Sequence, residues 1–96
     1  MTNQNSSFNF SVGAEATASA HDNGIVILHT GKGRVFSSNK IGALIWCGIE
    51  QRRSVDDIVE EISRKFDVAA TTARAHTLNF LAALERQSLI QREVAS

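Results

Sequence analysis

The feature that most constrains the fold is a change of hydrophobic period at Asn39. Before it, Ile25-Val26-Ile27-Leu28 forms a β-branched run between the turn residues Asp22-Asn23-Gly24 and Thr30-Gly31-Lys32-Gly33, and Arg34-Val35-Phe36-Ser37 follows. Two short apolar runs across a glycine-containing turn predict a β-hairpin. The Ala, Thr and Ser residues from Val12 to Ala20 alternate weakly and predict a first strand ending near His21. After Asn39, residues Ile41, Leu44, Ile45 and Ile49, with Trp46 beside them, recur at three- and four-residue spacing. That is the period of an amphipathic helix, and Asn39 can cap it.

Two further helices follow. Ser54 stands three residues before Asp57, where its hydroxyl can accept from the Asp57 amide, and Asp56 and Asp57 sit at the positive end of the helix dipole. Val55, Ile58, Val59, Ile62 and Phe66 form one stripe. Asp67-Val68 interrupts the pattern, and Thr71 or Thr72 is expected to cap a third helix running to about Arg86, with Ala73, Thr77, Phe80, Leu81 and Leu84 inward. Gln87 to Gln91 should close the chain as a last turn or short edge segment anchored by Leu89 and Ile90. Strands followed by helices predict an α+β fold, here a winged helix-turn-helix with an N-terminal three-stranded antiparallel sheet and a three-helix bundle.

At 96 residues the chain supports one core and so one domain, expected over residues 12–91, with a flexible tail at 1–11 and another at 92–96. The N-terminal tail is rich in Asn, Ser and Gln, with only Phe8 and Phe10 apolar. Ten basic and ten acidic residues leave a formal charge of zero, so no global field draws in a polyanion. The apolar runs fall well short of the roughly 20 residues that span a bilayer. The start lacks a basic stretch leading into an apolar one, so a cytoplasmic protein is expected. Cys47 has no second cysteine to pair with and reads as small core filler.

No catalytic constellation emerges, and the chain is not expected to be an enzyme. His21, His29 and His76 lack metal-ligand spacing, so neither metal nor cofactor is expected. Gly31-Lys32-Gly33 leads into a strand rather than a helix, which fits a hairpin turn and not a phosphate loop. Asp56, Asp57, Glu60 and Glu61 lie opposite Ile58 and Ile62, as a solvated face would. Ser37, Ser38 and Cys47 have no base at a recognisable spacing. DNA binding through the third helix, with Arg64, Lys65 and Arg74 on phosphates, is the alternative reading. The neutral charge and the alanines of that helix oppose it, and nucleic acid is not an expected partner.

Leu78 and Ala82 lie on a face adjoining the third helix's core stripe, flanked by Arg74 and Glu85. Either the sheet folds over them or they line a groove beside its edge. The strands carry apolar residues on both faces, as in Ile25 with Ile27 and Val26 with Leu28, where a sheet with one solvated face would alternate. An open edge next to an apolar groove is the arrangement for β-strand addition by an extended peptide, and also permits edge-to-edge pairing of two copies.

Residues 24–90 resemble the PqqD-like family, the leader-peptide recognition domains of ribosomally made, modified peptides. The likeness is carried by Gly24 to Leu28, Gly31 to Phe36, Asn39-Lys40-Ile41-Gly42-Ala43-Leu44-Ile45-Trp46, Ser54 to Val59, and Phe80 to Leu84. Within the family, the length and the Gly42 to Trp46 segment are most similar to a stand-alone leader-binding subunit of a lasso-peptide pathway. The resemblance implies a leader peptide lying antiparallel along the third strand and over the third helix. Its site would be Arg34, Val35, Phe36, Ser37, Arg74, Leu78, Leu81 and Ala82, and its partner a separate modifying enzyme or leader peptidase. Ser38 stands where the family usually has leucine, and Gln87-Ser88 replaces a helix-ending glycine, implying an altered core contact and a longer or looser last turn.

Overall fold

The computed structural model describes residues 9–93. Strands β1 (Asn9–Val12), β2 (Ala16–His21), β3 (Gly24–His29) and β4 (Arg34–Ser38) precede helices α1 (Lys40–Glu50), α2 (Val55–Phe66) and α3 (Ala70–Arg86), and β5 (Ile90–Glu93) ends the series. The architecture is α+β, with an antiparallel sheet in the order β2-β3-β4 and a separate antiparallel pair, β1 with β5. Ile27 lies opposite Phe36 and Ala18, and Val26 opposite Ser37 and Ser19. This register turns Ile25 and Ile27 inward, where they are buried, while Val26 and Val35 stay exposed on the outer face. Gly33 closes the β3–β4 turn at φ 64°, the left-handed conformation a hairpin turn uses glycine for, and its N–H donates to the His29 carbonyl at 2.8 Å.

The helices begin where local chemistry places them, with one exception. The Asn39 side chain accepts from the Gly42 N–H at 3.0 Å, and Ser54 Oγ from the Asp57 N–H at 3.1 Å. Helix α3 instead starts after Ala69, without a side-chain cap; Thr71 and Thr72, expected as caps, are already inside it. The core joins Trp46, Ile45 and Ile49 of α1, Ile58 and Ile62 of α2, and Leu81 and Leu84 of α3 to the inner sheet face. Phe80, expected inward, is only half-buried.

Other expectations need larger correction. Of the N-terminal tail, residues 1–8 lie outside the described residues, but 9–11 belong to β1, and Arg92 and Glu93 of the expected C-terminal tail belong to β5. Residues 94–96 also lie outside the described residues. Phe10 is 3% exposed and sits in the core under the Arg92 guanidinium, 5.5 Å from the ring centroid. Burying one phenylalanine and closing an antiparallel ladder offsets the ordering entropy that the polar composition alone would leave uncompensated. The first sheet strand consequently begins at Ala16, because Val12 pairs with Ile90. Cys47, expected as core filler, is exposed. Partial burial pushes its thiol above the ordinary value, and the Glu50 and Glu61 carboxylates push the same way.

Candidate functional site: an open strand edge beside the third helix

Strand β4 lies at the end of its sheet, and no described strand pairs with its outer side, since β1 and β5 pair only with each other. Its inward residues reach α3 at two points. Phe36 meets Phe80 edge to face, with ring centroids 5.8 Å apart and planes at 89°. Arg34 Nη1 donates to Gln87 Oε1 at 3.0 Å. Helix α3 therefore runs antiparallel to β4, with the Arg34 end of the strand at the helix's C-terminus.

These contacts identify which side of α3 faces the strand. At about 100° per residue, His76, Phe80, Ala83 and Gln87 fall on one line at four-, three- and four-residue steps. Phe80 and Ala83 are half-buried and His76 is exposed. The candidate groove is thus bounded by the open edge of β4 and this line of α3, with the Phe36–Phe80 contact between them.

The expected site residues separate accordingly. Arg34, Val35, Phe36 and Ser37 all lie on β4, with Val35 68% exposed and Phe36 half-buried. Leu78 and Ala82 are exposed, but each lies two residues from Phe80 and so points about 160° away from it around the helix. Their flank is next to other elements, because Arg74 binds Asp56 of α2 at 2.6 Å and Glu85 binds Arg92 of β5 at 3.5 Å. Leu81 is 2% exposed and belongs to the core stripe with Thr77 and Leu84. The sequence carried a signal for the flank that faces β4 in Phe80, the stripe member on that side. Only the ring contact with Phe36 distinguishes that flank from the Leu78 side.

Among the described residues no group of three or more His, Cys, Asp or Glu gathers to hold a metal, and no helix is long and apolar enough to cross a membrane.

A family model described as Coenzyme PQQ synthesis protein D (PqqD) matches residues 24–90, from the first residue of β3 to the first of β5. The solved structure of TbiB1 in complex with the TbiA(beta) leader peptide is similar at 24% identity and a TM-score of 0.79, covering 90% of this chain and 99% of that one. Lasso peptide synthetase B1 complexed with the leader peptide is similar at 21% identity and a TM-score of 0.77, covering 85% of this chain and 96% of that one. At these identities the likeness establishes a shared fold. No curated protein matches the chain. With well over half of its residues matched by one family model, the chain belongs to the PqqD family.

Proposed function

We propose that this protein is a non-catalytic binding module that captures the leader of a ribosomally synthesised precursor peptide by strand addition to β4, and presents it to a separate modifying enzyme or leader peptidase. The observation that carries this reading is the open edge of β4 facing the His76, Phe80, Ala83 and Gln87 line of α3. Family membership and the two leader complexes of the same fold support it. Backbone pairing alone does little for affinity, since each net hydrogen bond gives ~0.5–1.5 kcal/mol while ordering a residue costs ~1–2 kcal/mol. Apolar side chains lodged against Phe36, Phe80 and Ala83 supply the surplus, at ~1.5–3 kcal/mol each.

The test is a titration of isotope-labelled protein with the leader of a precursor peptide encoded beside it. Amide shifts are expected at Val35, Phe36, Phe80 and Ala83. Ala83→Asp, which sets a charge in the groove, should weaken binding at least tenfold, at a cost of ~1.4 kcal/mol or more. Leu78→Asp, on the far flank, should change it less than twofold. Shifts confined to α2 or to the Leu78 flank would refute the groove. A steep loss of affinity with added salt would instead mark a polyanion ligand.

A further inference from the structure

The groove is chemically lopsided. Its middle is apolar, formed by Phe36, Phe80 and Ala83, whereas at the Arg34 end a cavity of about 240 Å³ is lined by His29, Arg34, Val35, Phe36, Gln87 and Leu89. That volume is below the ~300–1,000 Å³ of sites for whole small molecules, and suits a single side chain. Val35, Phe36 and Leu89 supply apolar walls, and each of the three polar residues presents donors.

His29 is the most informative of these. It is 5% exposed, and its Nδ1 accepts from the Lys32 N–H at 3.1 Å. The neutral ring therefore carries its proton on Nε2, which has no hydrogen-bond partner among the described residues. Arg34 adds a cation without a counter-charge among the described residues. Arg52, Arg53, Arg74 and Arg92 each bind a carboxylate, whereas Arg34 contacts only the neutral Gln87 amide oxygen. Among the described residues no acid lines this cavity. Glu15 and Glu85 line the neighbouring one that His29 also borders, where Glu85 is held by Arg92.

We infer that this cavity is a specificity subsite for a carboxylate side chain, Asp or Glu, of the bound peptide. The methylenes would lie on Phe36 and Leu89, and the carboxylate would accept from Arg34 and from His29 Nε2–H. The inference rests on the peptide-capture reading and adds a direction to it. A peptide antiparallel to β4 enters at the Ser38 end and leaves at the Arg34 end, so its apolar anchors come first in sequence and its acid follows them.

The test uses a displayed library of random peptides selected against three forms of the protein. Wild type should enrich peptides with an Asp or Glu at a fixed position C-terminal to an apolar pair. Arg34→Glu, at an exposed strand position, should keep the apolar pair and enrich Lys or Arg at that same position. Ala83→Asp should abolish enrichment of the apolar pair. For one purified peptide, replacing the acid by its amide should weaken binding to wild type about tenfold, the loss of one charge-assisted hydrogen bond, and should strengthen binding to Arg34→Glu, where the acid faces a like charge. If wild type enriches the apolar pair but tolerates any residue or an aromatic one at the following position, or if Arg34→Glu selects as wild type does, the acid subsite is wrong and peptide capture stands. If wild type enriches no peptide at all, both fall.

Discussion

Each of the three helices stops on a left-handed residue that is not glycine: Arg52 at φ 61°, Asp67 at φ 54° and Ser88 at φ 63°. Such residues normally cost an L-amino acid ~1–2 kcal/mol, which is why glycine dominates there. After α3 the closure is nonetheless complete, because Ser88 N–H donates to the Glu85 carbonyl at 3.0 Å and Leu89 N–H to the Leu84 carbonyl at 2.9 Å. The looser turn implied by Gln87-Ser88 is therefore not found, and burial of Leu89 and Ile90 holds the strained residue in place. Ser88→Gly should relieve that strain and raise stability by about 0.5–1 kcal/mol, less than the full cost because glycine also frees the unfolded chain. Urea unfolding should show a higher midpoint with an unchanged slope.

At the scale of elements, legibility followed the strength of local signals. Helix α2 announces itself through the Ser54 cap, acids in its first turn, Arg64 and Lys65 in its last, and one apolar stripe, and it lies where those predict. Ser54→Ala removes an acceptor for the Asp57 N–H and should cost about 1 kcal/mol of stability. Because Ser54 caps α2 and lies on neither β4 nor α3, affinity for a leader at the proposed site should not change in the folded protein. Calorimetry on one sample reads both quantities. Helix α3 was harder to read, since its start at Ala69 carries no capping side chain and two threonines just beyond it offer plausible but unused ones. Its periodicity did identify the buried stripe, yet could not say which flank of that stripe meets the sheet.

For the molecule as a whole, the β1–β5 pair ties the two ends of the described chain together across a register of Asn9 opposite Glu93. The pair lies almost entirely outside the matched family segment, as does β2. Ser11 Oγ donates to a Glu93 carboxylate oxygen at 2.5 Å, and Arg52, just past α1, also meets Glu93 at 3.6 Å. These contacts near the surface add little individually. Phe10 contributes far more by closing the core, and Phe10→Ala should cost about 3 kcal/mol or more, read as a fall in the denaturant midpoint. In a chain this small that is a large share of total stability.

What the sequence determined by itself was what neighbours along the chain govern: the β3–β4 hairpin with its glycine turn, the switch of period at Asn39, two of the three helix caps and most of the inward residues of the helices. Local spacing and local hydrogen bonding are enough for those. Tertiary structure alone decided that Phe10 joins the core, that Leu81 is buried in it, and that α3 turns Phe80 and Gln87, rather than Leu78 and Ala82, toward the open strand. Each of those outcomes depends on contacts between residues far apart in sequence, such as Phe36 with Phe80 or Val12 with Ile90, and a period of 3.6 cannot tell one shoulder of a buried stripe from the other.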